Sequence, residues 1–103
     1  MGAFDWPQQP RTRPSIQTVT LTLAATEYSV ALPDRCQRYE FKARTKVDIN
    51  FAFQPGKVAT AVEPYSVLPS GWAYDSDVID QSGGTIYFAT AAAGTVVEVV
   101  IRS

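Results

Sequence analysis

The chain has 103 residues, 46 % of them apolar, 18 % charged and 12 % aromatic, with a formal net charge of −1 and no histidine. That length holds one domain around one core, and a near-neutral chain with no polybasic tail has no field to draw it onto nucleic acid or acidic lipid. Lacking histidine, it lacks the usual general base and the commonest metal ligand, and its single Cys36 cannot close an intramolecular disulfide. No apolar run approaches the roughly 18–20 residues of a membrane span. The first residues do not show the basic-then-apolar pattern of a secretory signal, so folding in a cytoplasm is expected.

Residues Met1–Pro14 carry Phe4, Trp6 and three prolines, Pro7, Pro10 and Pro14, at spacings that allow neither a helix nor a central strand. The segment reads as an extended arm. A frayed terminus is the plain reading. The sharper one is an arm laid on a neighbouring subunit through Phe4, Trp6, Pro7 and Pro10, because the prolines limit the freedom lost on docking and the aromatics have surface to bury. Ser15–Leu23 alternates, with Val19, Leu21 and Leu23 predicted inward and Thr18, Thr20 and Thr22 outward. Ala24–Glu27 turns the chain, and Tyr28–Leu32 alternates again before Pro33-Asp34 ends it; a hairpin between these two runs is the simplest pairing. Cys36 follows as a small residue expected to be buried.

Tyr39–Phe53 is the strongest pattern in the chain: odd positions are apolar at seven of eight places and even positions polar at six of seven. Tyr39, Phe41, Ala43, Val47, Ile49, Phe51 and Phe53 are therefore predicted on one buried side, with Glu40, Lys42, Arg44, Lys46, Asp48 and Asn50 outward. One straight strand of this length would run roughly 50 Å, too long for a domain with a radius of gyration of about 13 Å. The apolar side lapses only at Thr45, so two strands joined by a bend or bulge at Arg44-Thr45 are expected. Gln54-Pro55-Gly56-Lys57 has the residues of a type II turn. Val58–Val62 reads as a short edge strand, and Pro64 and Pro69 bound a connection from which Tyr65 and Leu68 can cap the core without reaching a central position.

Trp72–Ile79 reads as a strand or ordered loop and Gln81–Gly84 as a turn. Thr85–Thr90 rises with Ile86 and Phe88 on one side and Tyr87 on the other, and Ala91–Gly94 reverses the chain. In Thr95–Ile101, Val97, Val99 and Ile101 share one face, while Val96 and Val100 flank Glu98 on the other. That strand is apolar on both sides, which puts it in the middle of a sheet or under a partner. Seven or eight short strands without an amphipathic helix define an all-β chain: an antiparallel β-sandwich of residues 15–103 with jelly-roll connections as one option, preceded by the arm at residues 1–14.

Chemistry is sparse. One cysteine without histidine is no nucleophile constellation, Gly83-Gly84 lacks the lysine and following helix of a phosphate loop, and outward carboxylates such as Glu40, Asp48 and Glu98 are ordinary for a soluble surface. No catalytic residue, cofactor or metal site is assigned. The one local cluster is Trp72–Asp80, where Trp72, Tyr74, Asp75 and Asp77 set aromatic rings beside carboxylates. A solvated acidic turn is its plain reading, since the twelve-residue helix-flanked calcium loop is absent; a sugar site, ring face on aromatic and hydroxyls on acids, is the functional one. Arg35, Arg38, Lys42, Arg44 and Lys46 read as the wet side of a sheet.

From about Gln37 to the end, Phe41-Lys42-Ala43-Arg44-Thr45, Val47-Asp48-Ile49, Pro64-Tyr65, Gly83-Gly84-Thr85-Ile86-Tyr87-Phe88-Ala89 and Ala93-Gly94-Thr95-Val96-Val97-Glu98-Val99 follow one another in an order that resembles small structural proteins of tailed-bacteriophage virions. The resemblance implies a capsid decoration or cement protein, a β-sandwich that assembles as an oligomer, made in the host cytoplasm and resident in the virion. Its implied partners are the major capsid protein, copies of itself, or both, with neither nucleic acid nor membrane. It carries over no catalytic residues. The alternative within the same class is a carbohydrate- or receptor-binding virion module that takes a glycan at Trp72, Tyr74, Asp75 and Asp77.

Overall fold

The computed structural model describes residues 14–33, 36, 38–76 and 84–102. Its elements are β1 (Pro14–Leu21), β2 (Tyr28–Ala31), β3 (Arg38–Ala43), β4 (Ile49–Ala52), β5 (Ser66–Leu68), β6 (Ala73–Asp75), β7 (Thr85–Ala89) and β8 (Thr95–Arg102). They form two four-stranded sheets, ordered β1-β8-β3-β6 and β2-β7-β4-β5. Every pairing is antiparallel. β1 pairs with β8, β2 with β7, β3 with β6 and β4 with β5, so the chain is one long antiparallel ribbon folded over on itself, with its tip between β4 and β5. This is a β-sandwich of the jelly-roll kind, in which only β4 and β5 are consecutive strands of the same sheet.

That topology corrects three local expectations. β1 and β2 do not form a hairpin; they sit in different sheets, because each finds a longer or better matched partner near the C-terminus. Residues 44–48 are more than a bend: they carry the chain from β3 in the first sheet to β4 in the second. The facing survives the crossing because the inner faces of both sheets look into one core. Likewise residues 91–94 take the chain from β7 across to β8 rather than folding it back, with Gly94 at φ 81° and its N–H donating to the Leu21 carbonyl at 2.7 Å. A residue with a Cβ is strained at that angle. β1 opens at Pro14, one residue before the predicted strand start.

The core is the set of side chains that alternation aims between the sheets: Leu21, Val30, Tyr39, Phe41, Ile49, Phe51, Ile86, Phe88, Val97, Val99 and Ile101 are buried. Phe41 lies at its centre, edge-on to Phe51 at 5.0 Å and to Phe88 at 4.9 Å between ring centroids, arrangements that add about 0.5–1.5 kcal/mol per pair beyond burial. β8 is central in its sheet, between β1 and β3, which accounts for valines on both of its faces. Two predicted inward residues are outside: Leu23 is 60 % and Phe53 49 % exposed, each lying just past the end of its strand, where period two no longer governs direction.

The segment after β4 also departs from expectation. Gly56 has the φ of 79° that the third place of a type II turn requires, and its N–H donates to Glu27 Oε1 at 2.9 Å. Val58–Val62 is turn rather than strand. Val58 is buried against Ala52 and Ala89 on the outer face of the second sheet, flanked by Tyr65 and Tyr87, and Asn50 Nδ2 donates to its carbonyl at 3.4 Å. The short edge strand is instead β5, Ser66–Leu68, inside the segment expected to be a connection, with Pro64 and Pro69 just outside it.

Candidate functional site

β6 pairs with β3 so that Tyr74 stands opposite Phe41, Ala73 opposite Lys42 and Asp75 opposite Glu40. Side chains of opposed residues share a face. Tyr74 therefore turns into the sandwich, its ring 4.9 Å from Phe41, 5.1 Å from Phe51 and 6.0 Å from Tyr39. Asp75 points the other way and accepts from the Arg38 guanidinium, Nε to Oδ1 at 3.0 Å and Nη2 to Oδ2. Trp72 sits in the turn before β6, its N–H donating to the Pro69 carbonyl at 3.1 Å and its side chain exposed. The predicted glycan patch is thus divided: Trp72 is at the surface, Tyr74 in the core and Asp75 in an ion pair. Asp77 lies outside the described residues, as do the arm residues Phe4, Trp6, Pro7 and Pro10.

The basic residues are set in a lattice of opposite charge on the outer face of the first sheet. Besides Arg38 with Asp75, Arg44 Nε meets Glu98 Oε2 at 2.8 Å and Arg102 Nη2 lies 3.8 Å from Glu40 Oε1. Two of these pairs join neighbouring strands and the third ties the start of the crossing after β3 to β8; each is solvent-facing, so its net contribution is about 0–1 kcal/mol. Arg35 is outside the described residues, and Lys46 is exposed in the crossing after β3. Alternation brings Arg38, Lys42 and Arg44 to one side, where Asp75 of β6 and Glu98 of β8 stand against the two arginines. The result is a mixed, hydrated face rather than a basic patch for phosphate.

Two depressions lie among the described residues. One, of about 250 Å³, lies on that charged face between Glu40, Lys42, Ala73, Glu98 and Val100. The other, of about 200 Å³, lies at the end of the sandwich by Phe51, Phe53, Pro64 and Tyr65. Both are smaller than the roughly 300–1,000 Å³ of pockets that enclose small ligands. Among the described residues, no three cysteine or carboxylate side chains group as metal ligands.

The buried polar groups have structural partners. Thr90 Oγ1 donates to the Asp48 carbonyl at 2.8 Å and Thr95 Oγ1 to the Ala92 carbonyl at 2.7 Å, which fix the crossing before β8. Asp48 itself accepts from the Ser70 N–H at 2.7 Å. Cys36 is buried, and burial pushes its thiol above the ordinary value, toward the unreactive protonated form. Tyr39 is likewise held above the ordinary tyrosine range, first by burial and then by Tyr74 beside it. Sequence reasoning missed the apolar end around Phe53 and Tyr65, and it missed Val58 as a plug, because both depend on how the loop after β4 lies on the second sheet.

No family model matches the chain, and a search of curated proteins returns no match. Among solved structures the chain is similar to a solution NMR structure of a de novo designed double-stranded β-helix, at 18 % identity and a TM-score of 0.52, covering 89 % of this chain and 100 % of that one. The similarity is one of fold: two four-stranded antiparallel sheets wound from one folded ribbon.

Proposed function

We propose that the protein is a structural component of a tailed-bacteriophage virion, of the capsid decoration or cement type, which adds to the capsid surface and bridges neighbouring subunits. The observation that carries the reading is the placement of the motifs behind the resemblance. Thr85–Ala89 is the whole of β7 and Thr95–Val99 the first part of β8, while Phe41–Thr45 takes in the last three residues of β3 and Val47–Ile49 leads into the first residue of β4, so each motif reaches an inner strand of one of the two sheets. In this reading, what the chain shares with such proteins is the inner part of both sheets. The described surface carries paired charges and the exposed Ile16 on the outer face of the first sheet, and it exposes the apolar side chains of Phe53, Val67 and Trp72 elsewhere. In this reading the partners are the major capsid protein and copies of the chain itself, and the arm with Phe4 and Trp6 acts as a tether.

Electron microscopy of particles purified with and without this protein tests the reading. Difference density on every capsomer, reduced when residues 1–13 are deleted or when Phe4→Ala and Trp6→Ala are combined, is the expected result. Density confined to the tail, or none on the particle, would sink it.

A further inference from the structure

The four edges of the two sheets are unequal. β5 and β6 have three residues each and β2 four, and β5 is also bounded by prolines. Short strands and prolines are the ordinary protections of a sheet edge. β1 is protected only at its first residue, Pro14: the strand Pro14–Leu21 is eight residues, about 27 Å, and Ser15–Leu21 has neither proline nor charge. Among the described residues, only β8 pairs with it. Half of its backbone N–H and C=O groups therefore point away from the sheet, toward the position of a further strand. Beside them Ile16 is 67 % exposed, on the outer face opposite Val100.

We propose that this edge is a self-association surface, on which β1 of a second copy pairs antiparallel with β1 across a twofold axis and joins the two first sheets into one eight-stranded sheet. The occupant follows from the edge itself. A matching strand must be long and uncharged, and β1 alone among the edge strands of this chain is both. An antiparallel pair of identical strands is self-complementary: residue i meets j while j meets i. With no charge on either strand, the approach sets no like charges opposite one another.

The register follows as well. The two sheets keep their outer faces on the same side only if paired residue numbers have the same parity, and Pro14, which has no N–H, is best left outside the ladder. The pairing that satisfies both and uses Ser15–Leu21 is centred on Thr18. It puts Thr18 against its counterpart and Ile16 against the second copy's Thr20, between that residue and Val100. The pairing does not rest on the capsid reading: free protein in buffer tests one, purified particles the other.

Sedimentation equilibrium of the full chain should show twice the chain mass. The pair Ile16→Lys and Thr18→Lys, both at exposed positions, should weaken the dimer by about tenfold or more, with circular dichroism and thermal unfolding of the monomer unchanged. Thr18→Cys should cross-link under mild oxidation, since its counterpart lies within disulfide reach, whereas Thr20→Cys, about 13 Å from its own copy along the strand, should not. The buried Cys36 leaves the background low. A wild-type chain that stays monomeric up to about 1 mM overturns the proposal. So does a dimer untouched by the two lysines, or equal cross-linking at Thr18 and Thr20.

Discussion

The two outer faces of the sandwich obey the same alternation and end up in opposite conditions. On the first sheet, Glu40, Lys42, Glu98 and Arg102 stand in rows, paired across strands and facing water. On the second, the corresponding positions hold Ala52 and Ala89, and the loop after β4 lies over them with Val58 at 1 % exposure. Long charged side chains hold backbone away from a sheet, whereas alanines let it approach to packing distance. The second sheet is therefore buried on both sides near the tip of the ribbon, and the first on one side only.

The sharpest way to break this comparison is to attack what both sheets share. Phe41→Ala should cost about 3–5 kcal/mol in urea denaturation, a large part of a typical domain stability of about 5–15 kcal/mol. A cost under about 1 kcal/mol would mean that the two inner faces do not share a core around that ring. The faces themselves are compared by Val58→Ala and Val100→Ala. Loss of two methyl groups from the covered face should cost about 2 kcal/mol, and the same change on the half-buried side of β8 under about 1 kcal/mol. Equal costs would contradict the covering loop.

Alkaline titration probes the inner side of the first sheet. Tyr39 holds its proton more tightly folded than unfolded, so the stability it lends is complete below the ordinary tyrosine pKa of about 10 and is lost as pH rises beyond it. Denaturation midpoints should fall above pH 10, with up to about 1.4 kcal/mol per pH unit from this group. Tyr39→Phe should flatten that fall, and an unaltered pH profile would contradict the burial of the hydroxyl. The smallest effect is expected on the wet face: a double-mutant cycle on Arg44 and Glu98 should give a coupling below about 1 kcal/mol that fades in high salt. A salt-insensitive coupling of several kcal/mol would make that face a covered one.

Period two in Tyr39–Phe53 determined by itself that Tyr39, Phe41, Ile49 and Phe51 enter the core, because a strand offers only two faces and the apolar one must leave water. The prolines at 64 and 69 determined only that the segment between them could not be central, since proline has no N–H to give a neighbour; that Ser66–Leu68 pairs with β4 as an edge strand was not legible in them. The division of the acidic and aromatic stretch followed the same rule once β6 was placed: adjacent residues point apart, so Tyr74 and Asp75 could not share a ligand. Which strands pair was left to the tertiary structure. β1 with β8 and β2 with β7 are contacts between distant parts of the chain, and alternation in each strand is satisfied equally by a local hairpin. The pairing was decided by the fit of all eight strands around one core. With it came everything that depends on neighbours: the burial of Val58, the paired arginines and the place of β1 at the edge of the described sheet.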